Sequence, residues 1–281
     1  MKVFVVGSHG YIARRIIEAL QGALIHVVPV SSRADEGQIY LDLRYSQSFC
    51  YEEVQRGDIV LMAAAISSPD ICRDQRDFAI SVNVTGTADF ISRSLDQGAR
   101  IVFFSSDTVY GEKESAFDEM TIGNPAGDYA FMKYEVESRF LDNPSFKTIR
   151  LSYVFSKEDK FTRYLYNCAS RGEEAEIYHP FYRAVVHRED VVQGVIALVK
   201  RWDEFPQSVI NFGGPNVISR IEFAQTIKDF ALPKLYFRQI DPEEDFFTNR
   251  PRIIRMKSLL LGSLLERPAR SLREAAHLEL F

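Results

Sequence analysis

Cysteine is scarce in this chain: Cys50, Cys72 and Cys168 are three among 281 residues, an odd number with no C-x-x-C spacing. That excludes a disulfide framework and a cysteine-built zinc site, and it suits a reducing compartment. A cytoplasmic location is the expectation. An excess of basic charge is missing too. Lys and Arg number 34 against 39 Asp and Glu, a formal net charge of -5, so no broad cationic surface is offered to nucleic acid or to an anionic membrane. Long apolar runs are lacking: "DIVLMAAAIS" falls far short of the roughly 20 residues that span a bilayer. Lys2 leads straight into glycine-punctuated sequence, so no signal peptide is expected. His9, His26, His179, His187 and His277 are scattered, and none stands at metal-ligand spacing from another. No metal centre is expected. Linkers rich in proline or serine, repeats and low-complexity tracts are also absent.

What is present begins with "VFVVGSHGYIARRIIEAL" over residues 3–20. Residues 3–6 are β-branched or aromatic and run into glycine, as a strand buried on both faces does. Ile12, Ile16 and Leu20 recur every four residues, which places them on one side of a helix. Gly7 and Gly10 therefore occupy a turn that ends at a helix N-terminus, where backbone N–H groups and the positive dipole end favour an anionic pyrophosphate. The pattern is G-x-x-G-x-x-A, with Ala13 where many such loops carry a third glycine for close helix–strand packing. By itself it fits a dinucleotide-binding loop and a plain strand-turn-helix equally well.

Residues 23–30, 58–65, 99–106 and 146–155 read as further strands, the last a single long one. Between them Val84, Ala88, Ile91 and Leu95 form one helical stripe, and Tyr129, Lys133, Val136, Glu137 and Phe140 sit together on another helix. Strands alternating with helices predict an α/β protein with crossover connections and a doubly wound, mostly parallel sheet. The ligand crevice of such a sheet lies beyond the carboxyl ends of its strands. Gly7, residues 63–67, residues 105–108 and Ser152 fall at those ends, so they are expected to converge on one site. From residue 157 charges and aromatics crowd together, a helix over 190–200 precedes a strand over 209–212, and "ISRIEFAQTIKDFAL" reads as an amphipathic helix capped by Ser219. The expected division is 1–156 for the sheet domain and 157–281 for a smaller lid folded onto it, with part of the second half returning to the sheet.

Tyr129 and Lys133 stand four apart in "DYAFMKYEVESRF" and so stack on one helix face. A phenol, with a pKa of about 10, is a poor acid–base catalyst at neutral pH, and an adjacent ammonium is expected to lower it. Such a pair can exchange a proton with a substrate oxygen; a surface tyrosine over a lysine is the plainer alternative. Upstream, "FFSSDTVYG" ends a strand in two hydroxyls, Ser105 and Ser106, which either hydrogen-bond a carbonyl or merely make a turn.

Taken in order, the glycine loop, S-S-D-x-V-Y-G and Y-x-x-x-K resemble the extended short-chain dehydrogenase/reductase superfamily. "PDICRDQRDFAISVNVTGT" resembles its helix and asparagine-containing turn, here at Asn83, "RLSYVF" its strand leading to the substrate, and "RAVVHREDVV" its segment entering the lid. "NFGGPNVISRIEFAQTI" and "NRPRIIRMKSLLLGSLLERPARSLREA" are similar to the dTDP-4-dehydrorhamnose reductase branch, so the resemblance covers nearly the whole chain. It implies a Rossmann-type NAD(P)-binding domain with a C-terminal substrate-binding lid. It implies that Ser106, Tyr129 and Lys133 are the catalytic set, that Tyr129 gives or takes the proton, and that Lys133 tunes it and binds the nicotinamide ribose. Gly7, His9, Gly10, Tyr11 and Ile12 would surround the pyrophosphate, Asp42 and Leu43 the adenine, with Ala63, Ala64, Ala65 and Ser105 also on the cofactor. Ser67, Ser106, Asp107, Thr108 and Ser152 would meet the substrate, and Arg183 and Arg250 would clamp the diphosphate of a sugar nucleotide, work that suits planar guanidinium forks. A plain strand-end aspartate at 42 and ordinary surface arginines at 183 and 250 are the competing assignments.

The second strand ends "VPVSSRADEG". Ser31, Ser32 and Arg33 come first and Asp35 and Glu36 later, which favours NADP(H), with NAD(H) the alternative if Asp35 reaches the ribose. The implied function is an NAD(P)H-dependent reductase of a keto group on a nucleotide-activated sugar. Two functions compete: a nucleotide-sugar epimerase with tightly bound NAD, and a non-catalytic subunit like the regulatory one of methionine adenosyltransferase. Intact Ser106, Tyr129 and Lys133 count against the latter. Dehydratases of the superfamily carry Asp-Glu after the hydroxyl residue, whereas Asp107 is followed here by Thr108. The expected partner is a nucleotide sugar, with no nucleic acid and no membrane, and a homodimer is compatible. Substrate choice falls to the lid, where Phe161, Tyr164, Tyr178 and Phe181 serve either as core or as base-stacking surface.

Overall fold

Strand alternation decides how the layers form. The computed structural model describes residues 1–280. Its first half runs β1 (Lys2–Val6), α1 (Tyr11–Gly22), β2 (His26–Ser31), β3 (Ile39–Tyr40), β4 (Ile59–Met62), α2 (Pro69–Asp74), α3 (Arg76–Ile80), α4 (Thr87–Asp96), β5 (Arg100–Ser106), α5 (Asp128–Phe140) and β6 (Phe146–Leu151). Successive side chains on a strand point to opposite faces. Val3 and Val5 of β1, Ile59 and Leu61 of β4, and Val102 and Phe104 of β5 therefore join Ala13, Ile16 and Leu20 of α1 in one buried layer. Phe4, Val6, Val60, Met62, Ile101 and Phe103 join Phe90 and Ile91 of α4 and Val136 of α5 in the other. Each fully buried side chain of this size contributes about 1.5–3 kcal/mol, which makes the sheet the stable platform of the molecule.

The second half continues with β7 (Val154–Phe155), α6 (Lys160–Arg171), β8 (Ala175–Tyr178), β9 (Tyr182–Ala184), β10 (Val186–His187), α7 (Arg188–Lys200), β11 (Val209–Phe212), β12 (Val217–Ser219), α8 (Arg220–Phe230), β13 (Phe237–Ile240), α9 (Leu261–Leu265) and α10 (Leu272–Leu280). The seven-stranded sheet has the order β11-β6-β5-β4-β1-β2-β3 and is parallel throughout. Strand order reverses between β1 and β4, so a crevice opens beyond their carboxyl ends. A separate core, with Phe155, Leu165, Ile177, Phe223, Ile227 and Leu272, lies in the second half. No helix among the described residues is long and apolar enough to cross a membrane.

Two local expectations change. The strand expected over 146–155 is broken: Ser152 gives its backbone N–H to Phe212 O at 3.0 Å, after which the chain leaves the sheet and β7 pairs with β10. Asn83 lies in a π-helical turn, Ser81–Gly86, not in an open turn. Its amide both accepts from Ile66 N (2.8 Å) and donates to Ile66 O (2.9 Å), fastening this helix to the loop after β4. A Cβ at Gly86 would stand 1.8 Å from Leu43 O, so only glycine lets the helix come this close to residues 41–43.

Candidate functional site

The loop between β1 and α1 depends on glycine. Gly7 has φ of +86°, and a Cβ on it would lie 2.8 Å from both Cα and N of Ala64. The ends of β1 and β4 thus meet with no side chain between them. Gly10 is the N-cap of α1 and no side chain caps that helix, which leaves its first-turn N–H groups to an anion. Beside them lies a cleft of about 560 Å³ whose walls include Gly7, His9, Gly10, Ser31, Ser32, Arg33, Asp42, Leu43, Ala63, Ala64 and Ala65. Cofactor pockets run to about 300–1,000 Å³. Tyr11 and Ile12 lie outside that lining: the Tyr11 hydroxyl is 2.5 Å from Ser156 Oγ, and Ile12 packs on the core. Contacts from these two to a pyrophosphate would come from backbone N–H groups alone. The Ser105 hydroxyl is buried and has no hydrogen-bond partner among the described residues.

Elsewhere in the cleft wall Asp42 accepts from Arg44 N at 3.0 Å and pairs with the Arg44 guanidinium, which holds its carboxyl below the usual range. Leu43 is buried next to it. Tyr40, Arg44, Ile66, Phe78 and Val82 also line the cleft. Tyr40 stands two residues before Asp42 in "QIYLDL", a usable signal; nothing local marks Phe78, which arrives on α3 and lies 5.8 Å beneath the Arg44 guanidinium. His9 Nε2 is 2.8 Å from Asp35 Oδ2. Asp35 is therefore drawn to the glycine loop while Arg33 stays exposed in the cleft wall.

Helix α5 delivers Tyr129 and Lys133. The buried Lys133 ammonium donates to Phe104 O at 2.7 Å and lies 6.0 Å from the centre of the Tyr129 ring. Burial lowers its pKa to about 8. Phe104 precedes Ser106 by two residues, so this bond ties the tyrosine–lysine helix to the hydroxyl-bearing strand. The expectation that Lys133 lowers Tyr129 is corrected: burial, then Cys72 and Asp107, push the phenol well above its ordinary value. Ser106 Oγ accepts from Thr108 N (3.2 Å) and Thr108 Oγ1 (3.0 Å) and donates to Asp107 Oδ1 (3.3 Å).

Asp107 is a buried junction. Ser152 Oγ donates to it at 2.8 Å, Arg183 Nε is 3.7 Å away, and burial pushes its carboxyl up. Arg183 is itself buried, which lowers it to about 10. Its Nη1 donates to Tyr182 O (2.6 Å) and Arg252 O (3.2 Å), and its Nη2 to Pro251 O (2.7 Å). Arg250 donates to Phe246 O at 3.2 Å and to the Asp70 carboxylate of α2. Ser106, Asp107, Thr108, Ser152 and Arg183 are thus brought together, whereas Ser67 is exposed in the loop after β4 and Arg250 is held by Asp70.

A parallel sheet with this strand order, a glycine loop at its reversal point and a Y-x-x-x-K helix behind a strand ending in serine define a class, the extended short-chain dehydrogenase/reductase proteins with a Rossmann-type fold. Within that class the chain belongs to the RmlD substrate binding domain family, which matches residues 1–274. Methionine adenosyltransferase 2 subunit beta of Xenopus tropicalis is 23% identical over 261 residues, 89% of this chain and 78% of the relative. A dTDP-4-dehydrorhamnose reductase from Clostridium acetobutylicum superposes with a TM-score of 0.85 at 21% identity, covering 99% of this chain and 98% of that one. MoeE5, solved in complex with UDP-glucuronic acid and NAD, superposes with a TM-score of 0.83 at 22% identity over 100% and 98% of the two chains.

Proposed function

We propose that this protein is an NAD(P)H-dependent reductase of a keto group on a nucleotide-activated sugar. The observation that carries this is the 2.7 Å bond from Lys133 Nζ to Phe104 O, which sets the Tyr129 helix against the strand ending in Ser105 and Ser106. The residues present fit a nicotinamide dinucleotide: the Gly7–Ala64 approach leaves no room for a side chain, the start of α1 is uncapped, and Ser105 Oγ is a buried hydroxyl in need of a partner. When bound, the reduced nicotinamide supplies the hydride. Ser106 and Tyr129 hold the substrate carbonyl oxygen, and Tyr129 gives it a proton. Lys133 then stabilises the phenolate left behind. Burial keeps Tyr129 protonated beforehand, as a donor in the reducing direction must be. NADP(H) is favoured because Ser31, Ser32 and Arg33 stand in the cleft wall and Asp35 is engaged by His9; the NAD bound to MoeE5 supports NAD(H) as the alternative.

The test is Tyr129→Phe, with NADPH oxidation followed on dTDP-4-dehydrorhamnose. A positioned acid contributes about 10²- to 10⁴-fold, so turnover is expected to fall by that factor with NADPH affinity unchanged. Near-normal turnover would sink the assignment. The relatives named methionine adenosyltransferase 2 subunit beta favour a second reading, in which the chain is a binding subunit. Wild-type protein that binds NADPH, oxidises none with keto sugar nucleotides and co-migrates with a methionine adenosyltransferase selects it.

A further inference from the structure

Arg183 and Arg250 each meet a carboxylate within the protein, whereas a third arginine on the same side of the molecule, Arg220, has one buried donor without an acceptor among the described residues. Phe181 and Arg183 are two residues apart leading into and along β9, so their side chains share a face. β12 lies antiparallel beside β9 with Ser219 opposite Tyr182, and the next residue, Arg220, donates its backbone N–H to Phe181 O at 3.0 Å. The Phe181 ring is consequently flanked by two guanidiniums, Arg183 at 4.4 Å and Arg220 at 5.4 Å. Arg220 also covers Tyr153 at 3.8 Å and Phe161 at 4.4 Å. Aromatic faces hold a cation in place without neutralising it. No carboxylate pairs with Arg220 among the described residues, and its Nη1 is buried without a hydrogen-bond partner. The nearby acid of this face, Asp107, already has Arg183 at 3.7 Å. A guanidinium nitrogen buried without an acceptor is costly until an anion arrives, and the planar fork matches phosphate and carboxylate alike.

We propose that Arg220 is an oxyanion-binding arginine of the substrate site, taking up a phosphate of the nucleotide diphosphate or a carboxylate on the sugar. This rests on the nucleotide-sugar reading above. The test uses the full chain saturated with NADPH, so that the glycine loop is filled, and titrates wild type, Arg220→Met and Arg220→Lys by calorimetry. The probes are dTDP-glucose, UDP-glucose, UDP-glucuronic acid and inorganic pyrophosphate. A phosphate contact predicts that Arg220→Met weakens every probe that wild type binds by about 10- to 100-fold, with Arg220→Lys in between because it keeps the charge but loses the fork. A carboxylate contact predicts that loss for UDP-glucuronic acid alone. NADPH affinity and melting temperature, measured on each variant, separate loss of the site from loss of the fold, and Arg220→Lys carries the test if the Met variant does not fold. Unchanged affinity for all bound probes in a folded variant overturns the proposal and leaves the nucleotide-sugar reading standing. Pyrophosphate binding alone, weakened by Arg220→Met, supports Arg220 and overturns that reading. Wild type that binds none of the four overturns both.

Discussion

Lys133 carries a charge into a buried position, and pH sets what that costs. Burial lowers its folded-state pKa to about 8, with Glu137 and Cys72 opposing, whereas a lysine in an unfolded chain titrates at about 10.4. Between those values the unfolded chain binds the proton more tightly, so stability rises as pH climbs through the window. Below it both states are protonated, and the full penalty of about 3 kcal/mol stands. Lys133→Met has no such charge. In denaturant titrations at about pH 7 and about pH 10, wild type is expected to gain close to that amount on the variant. A gap that stays constant would mean that the amine keeps its ordinary proton affinity in the fold. The pairing of Lys133 with Tyr129 was legible from their spacing, because a helix face follows from the chain itself. The rise in the Tyr129 pKa was not: it comes first from burial and then from Cys72 and Asp107, all of which tertiary packing supplies.

The helix bearing these residues is held to the sheet by an ion pair. Glu137 on α5 and Arg150 on β6 meet at 2.6 Å, with side chains 0% and 3% exposed, and Arg150 also lies 4.6 Å from the Tyr110 ring centre. Glu137 follows Lys133 by one turn, so the pair fixes the register of the Tyr129–Lys133 helix on its strand. Glu137→Leu leaves a buried, unpaired guanidinium and is expected to cost about 3–5 kcal/mol. Glu137→Leu combined with Arg150→Met is expected to recover most of it, as chemical denaturation of both variants can check; equal losses would reduce the pair to packing. Glu137 could be placed on the stripe with Tyr129 from periodicity, but its partner sits on a neighbouring strand and only the pairing of the fold selects it. The Ser219 cap shows the contrast, since the capping box it forms with Glu222 is written within four consecutive residues. Phe78 and Arg220 belong with Arg150: their roles exist only once distant segments meet.

Across the whole molecule the two halves of the chain are joined by strand pairing and by the Arg250–Asp70 contact. The Arg250 hydrogen bond holds the Asp70 carboxyl below the usual range, yet with Asp70 half exposed such a pair adds little to stability. Its larger effect falls on binding. As the second arginine proposed for the diphosphate, Arg250 would have to share itself between Asp70 and the substrate. Asp70→Ala is therefore expected to tighten nucleotide-sugar binding several-fold, and Arg250→Ala to weaken it by roughly 1–3 kcal/mol. Neither should move NADPH affinity, and titration of both variants decides; weaker binding in both would show that the pair only shapes the rim. The strand pairing works differently. Because β11 comes from residues 209–212, a ribosome has made about three quarters of the chain before β6 gains its outer neighbour. Until then β6 is an open edge, able to recruit foreign strands. The C-terminal half thus serves the sheet as a tethered chaperone, and a chain severed after β6 would be not a smaller protein but a stickier one.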